Sequence, residues 1–288
     1  MALGRVGVWS TGLRPEDRSA LEAARAAAVE LEQLGYGAIW LGGSPDVRHA
    51  TPILEATSRI TVATGILNIW SDTADAVAAR HAALVAAYPG RFLLGLGASH
   101  APLVENYRKP YSAMVAYLDA LDAAVRPVPP HERVLAALGP RMLELARDRA
   151  LGAHPYLVTP EHTASAREIL GAGPLLAPEV KVVVETDPVR ARARARKHLA
   201  VYLGLPNYTA NLLRLGFTDD DLTDGGSDRL IDHTFAWGSL ETITKRVAEF
   251  QDAGADQVVL HVVTDERFDL PRREWRELAT VLGLTAPS

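Results

Sequence analysis

Gly90-Arg-Phe-Leu-Leu-Gly-Leu-Gly-Ala-Ser-His100 is the stretch from which the rest of the chain can be read. It forms a buried strand from Arg91 to Gly97, because a continuous apolar run without alternation suits a parallel strand covered on both faces. Glycines 95 and 97 remove side chains where something flat or bulky approaches the backbone. Ser99 and His100 follow just beyond the strand's C-terminal end, the edge at which parallel α/β folds place ligands and chemistry.

Working outward, short apolar runs alternate with helical patterns. Strands are expected at 5–9, 37–42, 60–67, 91–97, 133–138, 153–158, 179–185 and 256–263. Helices fit at 15–34, 45–57, 73–88, 110–125, 140–150, 161–171, 187–203, 239–253 and 271–283. Eight strands, each followed by helix, predict an α/β fold: a single (β/α)8 TIM barrel spanning 1–288 as one domain. Leu31-Glu-Gln-Leu-Gly35-Tyr and Phe250-Gln-Asp-Ala-Gly254-Ala repeat one joint, a helix closed by Gly before the next strand. Residues 205–237, punctuated by Pro206, Gly216, Gly225 and Gly226, break the rhythm and read as a helical insertion between strands 7 and 8, a lid or a subunit contact.

The 288 residues are 48% hydrophobic, enough for one large core, and the net charge of −5 offers no basic face for nucleic acid. Arg190-Ala-Arg-Ala-Arg-Ala-Arg-Lys197 spreads its charges around a helix, as a solvated helix does. The absence of cysteine excludes disulfides, Cys-ligated metals and thiol nucleophiles. Met1 to Trp9 lacks a basic region followed by an apolar run, and no window reaches the ~20 apolar residues of a membrane span, so a cytoplasmic protein without membrane contact is expected.

Candidate chemistry sits at the strand exits. Gly139-Pro140-Arg141-Met142 opens a helix with proline in its first turn, and the free N–H groups there make a ready anion site. Ser99 and His100 are the catalytic candidates, since a histidine exchanges protons near neutral pH. Trp9, Ser10 and Trp40 end strands one and two and are expected to line a substrate pocket with Gly43, Ser44 and Trp70. Ile60-Thr-Val-Ala-Thr-Gly65-Ile66-Leu-Asn68, read alone, is a buried strand with a packing glycine.

Taken in order, Gly65-Ile66, Gly-Leu-Gly-Ala-Ser-His100 and Leu138-Gly-Pro-Arg141 resemble the bacterial luciferase-like superfamily, specifically its F420-dependent branch. The resemblance implies a bulge with a non-proline cis peptide at Gly65–Ile66 behind a deazaflavin ring. It implies contacts to that cofactor from Asn68, Gly97, Ala98, Ser99, His100 and His154, and a phosphate at Gly139, Pro140, Arg141 and Met142. Arg108, Lys109 and Arg141 would meet the cofactor's acidic tail. The implied function is hydride transfer between F420 and a small organic substrate; an FMN-dependent monooxygenase is the close alternative. A homodimer through the helices flanking strands two and three, including 73–88, is also implied. One departure stands out: many relatives end the second strand with an acid followed by His, where this chain has Gly43 and Ser44, so sugar phosphates are expected to be poor substrates. Two readings lie outside the family. His100, His154 and His261 would have to converge for a metal-dependent hydrolase or isomerase, and no HExxH or clearly placed acid completes such a site; the expected metal count is none. The other is a cofactor-binding protein without catalysis.

Overall fold

In chain order the strands of the computed structural model are β1 (Val6–Ser10), β2 (Ala38–Gly42), β3 (Thr61–Gly65), β4 (Leu67–Asn68), β5 (Phe92–Gly97), β6 (Arg133–Leu135), β7 (Gly152–Ala153), β8 (Leu175–Leu176), β9 (Glu179–Val184), β10 (Phe235–Gly238) and β11 (Val258–Val262). The structure describes residues 3–14, 17–100, 107, 109–266 and 268–285. The helices are α1 (Arg18–Gln33), α2 (Thr51–Ala56), α3 (Ala74–Ala87), α4 (Pro110–Ala123), α5 (Pro140–Arg149), α6 (Pro160–Leu170), α7 (Pro188–Leu203), α8 (Pro206–Arg214), α9 (Asp228–Thr234), α10 (Leu240–Asp252) and α11 (Arg272–Val281). Each expected helix is found, with the first two residues of the 15–34 prediction outside the described part.

The strands pair in the order β10-β9-β11-β1-β2-β3-β5-β6-β7-β8, all parallel. The path closes on itself where β8 runs into β9. β8 and β9 are one extended run interrupted at Ala177-Pro178, where proline lacks the N–H of a ladder residue. On one side Glu179 N–H donates to Pro155 O at 2.9 Å; on the other Val259 N–H donates to Pro178 O at 2.9 Å. The sheet therefore curls into a TIM-barrel-like ring, with β10 added along β9. That strand corrects the sequence reading: Phe235–Gly238 pairs with Lys181–Val184 instead of ending an irregular insertion. β6 and β7 are also shorter than the expected 133–138 and 153–158, at Arg133–Leu135 and Gly152–Ala153.

Side-chain alternation sorts the core into layers. Trp40, Ala63, Leu93, Val134, Ala177 and Val259 fill the ring's interior. Their neighbours Ile39, Val62, Leu94, Val258 and Leu260 face the helices. A third cluster, Leu199, Tyr208, Leu212, Leu230 and Ile231 with Val183 and Val263, joins α7, α8 and α9 to the ends of β9 and β11. The arginines of α7 are spoken for: Arg190 pairs with Glu185, Arg192 with Asp232, Arg194 with Asp265 and Arg196 with Asp228.

Trp40 is completely buried and donates from Nε1 to Gln257 Oε1 at 2.8 Å, so it packs the ring and does not reach a pocket. Trp40→Phe leaves that buried oxygen without its donor and is expected to cost about 1–3 kcal/mol, read from urea unfolding. A change indistinguishable from zero would show that Gln257 finds another donor.

Candidate functional site

The strand exits between β3 and β5 are shaped by one extra residue. Val62 and Ala63 pair with Phe92 and Leu93, but Leu67 and Asn68 pair with Leu96 and Gly97, so three residues of one strand oppose two of the other. The Gly65–Ile66 peptide within this bulge is cis. Thr64 takes over the lost ladder bonds: its Oγ1 accepts Gly95 N–H and donates to Gly95 O, both at 2.8 Å. The glycines of β5 make room for this bulge. A Cβ on Gly95 would lie 1.9 Å from Thr64 O, and one on Gly97 would lie 2.5 Å from Ile66 Cδ1. The corner at the end of β2 is filled in part by Trp9. Trp9 lies over Gly42, where a Cβ would come within 2.6 Å of the indole, and its Nε1 donates to Gly65 O at 2.8 Å.

A cavity of about 810 Å³ opens above these exits. Most expected site residues line it. Gly65, Ile66, Gly97, Ala98, Ser99 and His100 form one wall; Trp9, Ser10, Gly43 and Ser44 form the adjacent corner; Gly139, Met142 and His154 lie further round. Asn68, Trp70, Pro140, Arg141 and Trp40 are not among the lining residues. Trp70 instead donates from Nε1 to Ala98 O at 2.6 Å, bracing the β5 exit from behind. Arg141 lies over the Tyr111 ring at 4.2 Å, and Lys109 is an exposed N-cap of α4. Arg108 falls outside the described residues.

Ser99 turns the chain with φ at +58°, a left-handed conformation that L side chains adopt sparingly. His100 follows, half-buried, with its ring 4.9 Å from that of Tyr208 and Asn207 Nδ2 3.4 Å from its Nδ1. Burial pushes its pKa below the ordinary histidine value, so it is neutral at pH 7. His154 is fully buried and stacks on Trp40 at 4.1 Å; its Nδ1–H donates to Ala177 O at 2.6 Å. Burial lowers its pKa to about 4, and its Nε2 has no partner.

At the far end, Gly139 caps α5 without a side-chain bond; its carbonyl accepts Met142 and Leu143 N–H at 3.0 and 3.1 Å and Pro140 has no N–H, which leaves Arg141 N–H as the first-turn donor with no backbone acceptor among the described residues. The cation beside them comes from α8 and was not foreseen. The Arg214 guanidinium nitrogens lie 3.5 and 3.7 Å from the position of a Gly139 Cβ, and Nη2 donates to Asn211 Oδ1 at 3.1 Å.

The side of the cavity framed by α7, α8 and β11 carries groups that sequence reading passed over, together with His261, which it weighed only as a metal ligand. Tyr156, His198, Tyr202, Tyr208 and His261 line it. Behind them Glu179 and Lys181 form a fully buried pair, Nζ lying 2.9 Å from both carboxylate oxygens. His261 Nδ1 lies 2.7 Å from Glu179 Oε1, and Lys181 Nζ sits 3.6 Å from the centre of the Tyr156 ring. Glu179 and Lys181 face inward at alternate positions of β9, a spacing of two that could have flagged them in Glu-Val-Lys. The three histidines of the metal reading do not converge, and among the described residues no group of three metal-ligating side chains stands together. No helix among the described residues is long and apolar enough to cross a membrane.

In sequence, residues 1–257 match the luciferase-like monooxygenase family. No curated protein matches the chain. Among solved structures it is similar to an F420-dependent secondary alcohol dehydrogenase in complex with an F420-acetone adduct, at TM-score 0.73 and 13% identity over 99% of both chains. It is similar to the coenzyme F420-dependent tetrahydromethanopterin reductase from Methanopyrus kandleri, at 0.65 and 16% over 99% of both. The oxygenating constituent of 3,6-diketocamphane monooxygenase of Pseudomonas putida, in complex with FMN, gives 0.68 and 13% over 100% of this chain and 99% of that one.

Proposed function

Because the chain belongs to the luciferase-like monooxygenase family, we propose that it is an F420-dependent oxidoreductase that transfers a hydride between the deazaflavin and a small organic substrate. The observation that carries this reading is one continuous cavity joining the Gly65–Ile66 bulge to the N-terminus of α5 and Arg214. A flat ring fits against the first, and a phosphate suits the second, where the positive end of the α5 dipole, Arg141 N–H and a guanidinium meet.

The residues present fit such a group. Gly65 and Ile66 would back the ring and Ala98 and Ser99 would edge it; His154 lines the same cavity, and its buried Nε2 has no partner among the described residues. Gly139, Met142 and Arg214 hold the phosphate end. When bound, the deazaflavin supplies the carbon that accepts or gives the hydride. The protein's own part is to orient the reactants, exclude water and move the proton. His100, kept neutral by burial, holds or takes a proton at the β5 exit. Trp9, Ser10, Gly43 and Ser44 shape the substrate corner.

The similarity to an FMN-bound monooxygenase keeps one second reading, FMN in the same cavity. Fluorescence titration of the purified protein with F420 and, separately, with FMN tests the choice. The expected result is saturable F420 binding in the micromolar range, about −8 kcal/mol, and no saturation by FMN. Tight FMN binding with none of F420 would move the chain to the monooxygenase branch.

A further inference from the structure

We propose that His261, oriented by Glu179 and Lys181, is a second acid–base residue of the cavity and serves an uncharged alcohol or its carbonyl counterpart; this rests on the hydride-transfer reading above. Glu179 receives Lys181 Nζ on both oxygens at 2.9 Å, His261 Nδ1 at 2.7 Å and Leu157 N–H at 3.3 Å. A carboxylate so surrounded only accepts, so His261 donates its Nδ1–H and keeps the lone pair on Nε2. Nε2 has no hydrogen-bond partner among the described residues, and the ring lies on the cavity wall. A histidine fixed by a carboxylate on one nitrogen and open on the other is the arrangement of a general base.

Every other group facing His261 leaves this role to it. Trp9 stacks at 4.1 Å and carries no charge. His198 stands edge-on at 5.0 Å and is kept neutral by burial, which lowers its pKa to about 2. The Tyr156 hydroxyl, 3.5 Å from Nδ1, is 2.6 Å from that of Tyr202, and burial holds Tyr156 and Tyr208 protonated well above the usual phenol range. Lys181 is spent on Glu179 and on the faces of Tyr156 and Tyr202, at 3.6 and 5.1 Å. The surroundings of His261 therefore offer a neutral base in an aromatic frame, which fits an uncharged substrate oxygen; the cation of α7 on the same cavity, Lys197, has its Nζ 3.5 Å from the backbone oxygen of Asp265. His261 enters the cavity from β11 and His100 from the β5 exit, and the rings of Tyr156 and Tyr208 link the two, with centroids 6.4 Å from His261 and 4.9 Å from His100 respectively.

In the alcohol-oxidising direction the C–H bond breaks with its electron pair, as hydride, to oxidised F420. The O–H bond breaks with its proton to His261 Nε2, and the C–O single bond becomes a carbonyl. The reverse direction returns both. Burial lowers the pKa of His261, so its base form persists below the ordinary histidine value of 6.5.

Two measurements test this. Nitrogen-15 NMR of the cofactor-free protein is expected to show His261 neutral at pH 7 as the Nδ1–H tautomer, a bias lost when Glu179→Gln and Lys181→Met are combined. With F420 and cyclohexanol, His261→Asn is expected to bind F420 within about 3-fold of wild type yet oxidise the alcohol about 10²-fold more slowly. Wild-type turnover should stay level through neutral pH and fall only below the ordinary histidine range. An Nε2–H tautomer, unchanged turnover in His261→Asn, or an F420-binding wild type that oxidises only phosphorylated or carboxylated alcohols would overturn the proposal. A wild type that binds no F420 overturns the hydride-transfer reading and this one with it, and is recognised by the titration alone.

Discussion

Lys181→Met is expected to lower the stability of the folded chain by about 3–5 kcal/mol, because it removes one partner of a buried ion pair and leaves the other charge without compensation. Neither side chain of the pair is exposed at all. Burial alone would raise the Glu179 carboxyl, but the Lys181 ammonium and the His261 bond outweigh it and hold the group well below the usual carboxylate range. The sign of the pH dependence follows. In wild type the folded pKa is depressed, so this stabilisation is complete above the ordinary carboxylate value of 4.5 and is lost as pH falls toward about 2. In Lys181→Met burial is no longer offset by the ammonium and the folded pKa rises, so acidification from neutral pH should recover stability. The double variant Lys181→Met with Glu179→Gln removes both charges and should regain most of the loss. Urea unfolding of the three proteins across pH checks this; a single variant as stable as wild type, or one that weakens further on mild acidification, would contradict it.

The ring was legible in the sequence because its signals are local. Runs rich in apolar residues mark β1, β2, β3, β5 and β11, Val180 and Val182 to Val184 mark β9 around Lys181, and the two repeated joints close with Gly35 and Gly254 at positive φ. β10 was missed because four residues, Phe-Ala-Trp-Gly, carry too little periodicity to separate from the helices around them. The Gly65–Ile66 bulge was anticipated through resemblance alone, since no residue pattern there departs from a plain strand. Gly95 and Gly97 were legible only as places of close approach: a missing side chain shows that something comes close, and the register shift reveals that Thr64 O and Ile66 do.

The cavity was half legible on the same grounds. Ser99, His100, Gly139 and His154 announce themselves at strand exits, where position in the βα repeat supplies the third dimension. Trp40 was misplaced because one step of register along β2 decides between the packed interior and the mouth. Arg214, Tyr202, Tyr208 and His198 come from α7 and α8, whose approach to the ring depends on tertiary packing of the Leu199, Leu212 and Val263 cluster. His261 and Glu179 lie 82 residues apart and meet only because β9 and β11 pair in register.

Arg214→Gln is expected to weaken F420 binding about 10- to 100-fold, the effect of losing a charge-assisted hydrogen bond to a phosphate. Arg141 is expected to matter little: it lies over Tyr111 and lines no part of the cavity. Arg214, by contrast, sits against Gly139, and among the described residues it makes no ion pair, only the bond to Asn211 Oδ1. Its charge is therefore available where the α5 N-terminus directs its N–H groups and dipole. Two features separate an anion contact from a general disturbance of α8. The deazaflavin chromophore lacking its phosphate and tail should bind Arg214→Gln as well as it binds wild type, and the salt dependence of F420 binding should become shallower in the variant, because one screened charge pair is gone. Equal weakening of both ligands would assign Arg214 to packing of α8. Unchanged F420 binding would mean that the phosphate end does not lie at Gly139, and the cavity would then have to hold its cofactor by the ring alone.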